Sequence, residues 1–539
     1  MVNAIRWAGP PLVVAVLVLI AARAAMLPGI AFWDTAELQA VGPLMGTAHP
    51  AGFPTYVLLG WLASVVLQPF GEPAFRMNLF AGLCLAAAAG ITVDLVRALT
   101  RSTLLGVLAG IGLALTPVAW SIGTHAEAHA LHLVFVALLL RLLVAWEARA
   151  RGGPPGPADR YLIAAAIVFG LSVGNHSLSL LLLLPVVAFA RIVYPDVWGD
   201  RRLVSLCIAA FVAAVVLVYL ELPLRAGPFR AALVYGRPET WDGFWYVVLG
   251  EQFRANVVDP FGDLAGKIGT LVDRSVVQFG VLAPLLPVAF AATVARRRRY
   301  AVLTGLAVAI TAFFAASYQN ADIERYYLGP VLMAWTWLAT LGSVAVDTVG
   351  RAIDSLAGRS TDEPRRQAGA QAEGSRGASG GRQGSLARQA TRSRQALLTA
   401  IAVVLLLAQT LVAIPARFEA VDERDDRAAA MWVDRALGVM DPGAIIVSWW
   451  SYSTPLWYAQ RVEGRRPDLV IIDDRTRLDE GMGDITDVID AHLGRTPVYV
   501  IRDDPGEVAT LAERYELVPI DGFDAHSLTE VIGRRETGS

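Results

Sequence analysis

Apolar runs recur along most of the chain, separated by short polar segments. A run of roughly 20 apolar residues is long enough to cross the hydrocarbon core of a bilayer as a helix. Eleven such spans are expected, near 10–27, 75–96, 103–120, 127–147, 160–174, 178–194, 203–222, 275–294, 300–317, 327–347 and 395–414. The first is expected to be a retained helix, because no small-residue cleavage site follows the apolar stretch at 11–22. After residue 415 the pattern changes. Short apolar runs at 444–450, 469–474, 497–503 and 516–521 alternate with helical patterns at 484–493 and 505–514. Such alternation predicts a small α/β domain, 415–539, with a mostly parallel sheet.

Charge settles the status of a twelfth apolar segment, 53–70. Cytoplasmic loops are enriched in Lys and Arg. With 53–70 left out of the count, one side receives Arg6, Arg97, Arg101, Arg149, Arg151, Arg160, Arg191, Arg201, Arg202 and the run 296–299. The other side receives Asp34, Glu37, Glu127, Glu221, Asp322 and Glu324. A full crossing by 53–70 would scramble this sorting. The segment is therefore expected to lie in the outer interface or dip into it, with Tyr56 and Trp61 at headgroup level. The N-terminus is then inside and the α/β domain outside. The stretch 350–394, dense in Arg, Gln, Gly and Ser, is expected to be a disordered cytoplasmic tether.

Composition fits this picture. The 539 residues are 55% hydrophobic and only 17% charged, with a mean hydropathy of +0.49. A soluble enzyme, a disordered scaffold and a secreted disulfide protein are poor readings of those values. Cys84 and Cys207 sit singly in apolar runs, which gives neither a disulfide framework nor a metal cluster. The fold class expected is an α-helical polytopic membrane protein with a C-terminal soluble α/β domain.

Candidate chemistry gathers at the outer face. The first outer loop, 28–74, carries Asp34 and Glu37 just after the first span, three residues apart and so on one helix face. His49, His125, His129 and His176 fall at the same level, with Asn175 beside His176. His125, His129 and His132 have i, i+4, i+7 spacing, which would align them on one helix with Glu127 pointing elsewhere. That alignment is compatible with a divalent metal, but without a fourth ligand no metal is predicted. Arg225, Arg254 and Arg325 lie outside, against the positive-inside trend, with Tyr326 beside the last. Such arginines can hold a phosphate through paired N–H donors or form salt bridges, Arg325 with Asp322 or Glu324 in particular. The second outer loop, 223–274, holds Trp241, Phe244, Trp245 and Tyr246, which suit an interface, a lipid tail or a sugar face. Asp473 and Asp474 end a strand where ligands often bind, although solvated acids are the commoner reading. The first strand of that domain has no Gly-rich phosphate loop, which disfavours a nucleotide site.

Acids, arginines and aromatics on one membrane face suggest sugar transfer from a polyprenyl phosphate. A carboxylate would take the proton of an acceptor hydroxyl, and arginines would meet the charge on the departing phosphate.

The segment WDTAELQAVGPLMGTAHPAGFPTY (33–56) resembles the signature of a formerly unknown-function family of membrane glycosyltransferases. That family includes the eukaryotic O-mannosyltransferase for plexin-type domains and falls in the GT-C superfamily. The likeness continues through AEAHAL (126–131), GLSVGNHS (170–177), ELPLRA (221–226) and GRPETWDGFW (236–245). Ala36 stands for the family's usual Gly, Ala51 for a Pro and His129 for a Tyr. The resemblance implies a GT-C fold, a lipid-linked sugar donor with mannose as the first choice, and a juxtamembrane helix at 53–70. It implies that Asp34 is the catalytic base, with Glu37 its neighbour in the site. The expected partners are a polyprenyl-phosphate sugar, a protein or glycan acceptor and membrane lipids, with no nucleic acid. A transporter or flippase of a lipid-linked solute and a non-catalytic assembly protein are the competing readings.

Overall fold

The computed structural model describes residues 2–150, 158–367, 380–524 and 526–535. Among these, six helical stretches are long and apolar enough to cross a membrane: Pro73–Thr100, Ala128–Ala150, Arg201–Ala226, Leu264–Ala315, Ile323–Leu356 and Ser393–Val412. Leu264–Ala315 covers both spans expected at 275–294 and 300–317, and its last helix breaks at Arg297, where φ is −139°. Shorter apolar helices include Ala8–Ala24, Pro54–Val66, Thr103–Ala114 and Ser177–Val193. Prolines cut two of the expected spans. Thr103–Ala114 ends before Pro117, which opens the short helix Pro117–Ser121. Pro185 lies in the first turn of Leu183–Val193, which a 3-10 turn precedes. Proline lacks an N–H and so favours such starts.

Helix Pro54–Val66 has 13 residues. At about 1.5 Å per residue it reaches roughly 20 Å, short of the roughly 30 Å hydrocarbon core. Trp61 on it is exposed, but Tyr56 is not a headgroup residue: it is fully buried, with its hydroxyl toward the Leu38 carbonyl at 3.5 Å. The turn that brings this helix in needs Gly52 at φ +78°, where a Cβ would sit 2.9 Å from Val247.

The expected disordered tether is helical wherever it is described. Leu328–Gln367 and Gly380–Val412 carry the membrane helices through 350–367 and 380–394, while 368–379 lie outside the described residues. Straight-chain Arg, Gln and Ala are good helix formers and extend the helices beyond the apolar segments.

The C-terminal domain is a five-stranded sheet of order β2-β1-β3-β5-β4. Its strands are β1 (Ile445–Ser448), β2 (Val470–Asp473), β3 (Val498–Val500), β4 (Tyr515–Pro519) and β5 (Thr529–Arg534). β1 pairs parallel with β2 and β3, whereas β3–β5 and β4–β5 are antiparallel. The four expected strands are present, and β5 is an addition. The pattern of β5 is obscured by Gly533 and two terminal arginines, and it earns its place by pairing β3 with β4.

This domain does not float free. Its core residues Val433, Leu437, Leu456 and Tyr458 form one cluster with Ile30, Ala40 and Ala74 of the membrane unit. The Tyr458 hydroxyl accepts from the Ala74 N–H at 2.9 Å. The connection from the last membrane helix is pinned as well. Arg417 donates to the carbonyls of Leu115 (2.6 Å) and Gln278 (3.2 Å), and the Glu423 N–H bonds the Ala25 carbonyl at 2.9 Å. The domain is thereby held over the first loop.

Candidate active site

The first loop folds into helix Trp33–Leu44, with Asp34 in its first turn and Glu37 one turn on. Two bulky residues near it adopt left-handed backbone, Trp33 at φ 61° and Phe53 at φ 46°. Such conformations cost about 1–3 kcal/mol each and collect at functional sites. After Met45 the chain reverses and lays His49 against the helix. Glu37 accepts the His49 backbone N–H at 2.8 Å, and its second oxygen meets His49 Nδ1 in a very short contact. His49 Nε2 faces Asp34 Oδ2 at 3.9 Å. The acid pair is therefore joined through a histidine.

The two carboxylates differ in environment. The Glu37 side chain is 2% exposed and both its oxygens are occupied by His49, whereas the Asp34 side chain is 39% exposed. Burial opposes the charge on His49, but Glu37 and then Asp34 outweigh it and raise the imidazole from 6.5 to about 9. Burial pushes the Glu37 carboxyl up, partly offset by His49. The two acids thus favour the charged form of the imidazole between them.

A second cluster forms around Glu127. Contrary to the expectation that Glu127 points away, it is a hub at 2% exposure. Its oxygens take His129 Nδ1 at 2.8 Å and the Arg325 guanidinium in a very short ion pair. Burial opposes ionisation, yet Arg325 and His129 hold this carboxyl well below the usual carboxylate range. Arg325 also pairs with Asp322 at 2.6 Å, while Glu324 goes to Arg274 instead. His129 packs against His176 (ring centroids 4.5 Å) and Tyr326 (5.6 Å). Phe53 touches both His176 (5.5 Å) and His49 (5.0 Å), which links the two clusters. His129 Nε2 is buried and has no hydrogen-bond partner among the described residues.

The three-histidine helix face does not form. The helix is Ala128–Ala150, so His125 precedes it and turns to Glu423, 3.0 Å away, in the segment leading to the α/β domain. Burial disfavours charge on His125, but Glu423 raises its pKa. His132 bonds Ser179 at 3.2 Å, and Asn175 donates to the Ala128 carbonyl at 3.0 Å. Among the described residues, no group of three or more His, Cys, Asp or Glu is placed to hold a metal.

The arginines and aromatics of the second loop separate. Arg225 donates to the carbonyls of Met45 (2.7 Å) and Leu44 (3.1 Å), so it caps the helix that carries Asp34. Cations are favoured at such helix ends. Arg254 is exposed, and next to it Phe253 meets His49 edge-on at 6.1 Å. Trp241 is 75% exposed and touches Trp245, so it belongs to the surface of the loop.

The α/β domain supplies contacts that the sequence did not point to. Trp450, in the helix following β1, donates its indole N–H to Asp34 Oδ1 at 2.8 Å and meets the His49 ring edge-on at 5.8 Å. Thr454 bonds the Trp33 carbonyl at 2.8 Å. Arg475 lies over the Tyr246 ring at 4.0 Å. A signal was available in the dense aromatic run SWWSYSTPLWY (448–458) at the C-terminal end of a strand. Asp473 and Asp474 are tied to neighbouring groups rather than freely solvated. Asp473 is buried and caps the next helix through Thr476, which offsets only part of the burial that raises its pKa to about 6. Asp474 pairs with the buried Arg502 at 3.1 Å.

Residues 34–197 match the family described as the Protein O-mannosyl-transferase TMEM260 N-terminal domain. Protein O-mannosyl-transferase TMEM260 of Mus musculus is 31% identical over 231 residues, which cover 42% of this chain and 31% of that protein. The match thus spans about a third of the length of this relative. Among solved structures, ArnT from Cupriavidus metallidurans bound to undecaprenyl phosphate superposes with a TM-score of 0.56, covering 98% of each chain at 14% identity. This chain has the GT-C fold. The Archaeoglobus fulgidus oligosaccharyltransferase agrees, with a TM-score of 0.54 over 92% of this chain and 69% of its own at 15% identity. The GT-C resemblance carried by the first loop is the one these comparisons return, for a multi-pass membrane protein.

Proposed function

We propose that this protein is a polytopic membrane glycosyltransferase. It moves a sugar, mannose in the first instance, from a polyprenyl-phosphate carrier to a hydroxyl acceptor on protein. The acceptor oxygen attacks the anomeric carbon, the bond from that carbon to the phosphate oxygen breaks, and the phosphate leaves with the electron pair. The acceptor proton goes to Asp34.

One observation carries this reading. Of the two acids that flank His49, Asp34 has the exposed carboxylate, and that carboxylate is oriented by Trp450 on one oxygen and faces His49 on the other. Glu37 is buried and occupied, which suits it to position His49 rather than to take a proton. Arg254 is exposed and follows Phe253, which meets His49 edge-on, so it is assigned to the leaving phosphate; His129 Nε2 is buried and unpartnered among the described residues. The match over 34–197 supports protein mannosylation. The neighbouring structures are described with undecaprenyl phosphate, or with dolichol-phosphate and an inhibitory peptide. The separation of Arg97, Arg149 and Arg201 from the acids supports a site on the extracytoplasmic face of the plasma membrane and a cytoplasmic N-terminus.

The test is transfer of labelled sugar from mannosyl polyprenyl phosphate in proteoliposomes. A folded Asp34→Asn protein should lose about 10²–10⁴-fold in rate, the usual worth of a general base. Normal turnover by that variant would remove Asp34 from the role. Vesicle uptake of the lipid-linked sugar without any covalent product would favour a transporter.

A further inference from the structure

A cleft of about 270 Å³ opens where three membrane helices end together. Arg296 comes from Leu286–Ala315, just before that helix breaks at Arg297. Asp347, Arg351 and Asp354 come from Leu328–Gln367, and Arg394 from Gly380–Val412. The spacing i, i+4, i+7 puts the middle three on one helix face. The cleft lies far from the candidate active site. Arg325, which holds Glu127 there, immediately precedes the helix that starts at Leu328. Asp347 follows Leu328 by about 19 residues, roughly 30 Å of helix and so one hydrocarbon thickness away.

Three arginines against two aspartates leave the lining with one positive charge. Arg296 pairs with Asp347 at 2.6 Å, and Arg394 with Asp354 in a very short ion pair. Arg351 is different. Its Nε donates to the Asp347 carbonyl at 3.2 Å, and no carboxylate pairs with it among the described residues. Arg394 Nε is buried and has no hydrogen-bond partner among the described residues. Guanidinium donors are therefore left over in the cleft. Toward the bilayer the surface turns apolar. Leu397 and Ile401 follow Arg394 at i+3 and i+7 on the same helix face, and both are exposed.

We infer that this cleft holds the headgroup of one anionic phospholipid, in the leaflet opposite the sugar-transfer site. The phosphodiester carries one negative charge, which matches the surplus of the lining. Its oxygens accept from Arg351 and from Arg394 Nε, the planar donors suited to phosphate. The ion pairs with Asp347 and Asp354 hold the other two guanidinium groups in place. One acyl chain lies along Leu397 and Ile401. Basic pockets between membrane helices bind anionic headgroups in this way. A zwitterionic lipid fits less well, because its ammonium cancels the charge that the cleft lacks. The site is independent of the glycosyltransferase reading.

The test titrates the full chain in detergent with phosphatidylglycerol or with phosphatidylethanolamine of the same acyl chains, read by native mass spectrometry. One resolved phosphatidylglycerol is expected, bound at least about fivefold more tightly than phosphatidylethanolamine, the contribution of one basic residue to holding an anionic headgroup. Arg351→Gln should weaken it about fivefold. Arg202→Gln, which removes an exposed arginine outside the cleft, should leave it unchanged. Phosphatidylglycerol should also raise the Tm of the wild-type protein more than that of Arg351→Gln, since a ligand of the folded state stabilises it. Inorganic phosphate at the same concentration should raise neither. The inference is overturned if the two lipids bind the unmodified protein equally, a comparison that needs no variant. It is also overturned if Arg351→Gln keeps full affinity, if Arg202→Gln loses as much, or if inorganic phosphate gives the same rise in Tm.

Discussion

Trp450 donates its indole N–H to Asp34 across 416 residues of sequence, at 2.8 Å. The α/β domain thereby orients the carboxylate proposed to act as base, and the same indole closes over His49 and Tyr235. Trp450→Phe keeps most of the packing and removes the donor. A hydrogen bond to a charged group contributes about 1.5–3 kcal/mol, so kcat should fall roughly ten- to hundredfold. The KM for the lipid donor should be unchanged. Steady-state kinetics in proteoliposomes check this, and an unaltered kcat would show that the domain does not position Asp34.

His49 makes stability depend on pH on the alkaline side of neutrality. Its pKa is raised in the fold from 6.5 to about 9 by Glu37 and Asp34. A raised histidine stabilises the fold fully below its unfolded pKa, and that contribution is lost as pH rises through the folded value. Thermal unfolding of the wild-type protein should therefore show a decline in Tm between about pH 6.5 and pH 9. His49→Gln should be less stable at pH 6 and should lack this decline. A slope that persists unchanged in the variant would place the titration on another group.

The two second-loop arginines should separate in their effects. Arg225→Ala uncaps helix Trp33–Leu44 by removing donors to Leu44 and Met45. Loss of bonds to these carbonyls should cost about 1–3 kcal/mol, seen as a lower Tm. Arg254→Ala should leave the fold intact and raise KM for the lipid-linked donor, because Arg254 is exposed and its neighbour Phe253 meets His49. Equal Tm losses in both variants would remove the phosphate role from Arg254.

Docking of the α/β domain can be weakened by a single atom. Tyr458→Phe removes the acceptor of the Ala74 N–H inside a dry interface. A buried donor left unpaired costs about 1–3 kcal/mol. A lower Tm, together with faster proteolysis in the connection near residues 422–427, is the expected outcome.

Much of this was legible along the chain because the signals are local. The apolar runs identify membrane helices, since each must satisfy its own backbone in lipid. Alternation after residue 415 identified four strands; β1, β2 and β3 are almost wholly buried and so read as apolar runs by themselves. The spacing of Asp34, Glu37 and His49 carried the family resemblance. Other features were not legible. The sequence placed His125 on a helix face with His129, but the helix begins at Ala128 and His125 turns to Glu423, 298 residues away. Arg225 read equally as a phosphate contact or a salt-bridge partner, and folding aims it at helix carbonyls instead.

The sequence by itself determined a polytopic helical protein with a terminal α/β domain and an acidic first loop, because hydropathy, strand pattern and a compact motif depend on neighbours along the chain. Only the tertiary structure decided which acid is buried, which is left exposed, and which side chains hold them. His49 divides Glu37 from Asp34 through a chain reversal, and Trp450 reaches Asp34 only because Tyr458, Thr454 and a shared apolar core dock the distant domain on the first loop. Burial and long-range hydrogen bonds set the protonation and orientation of a carboxylate, and neither is encoded within reach of the residue itself.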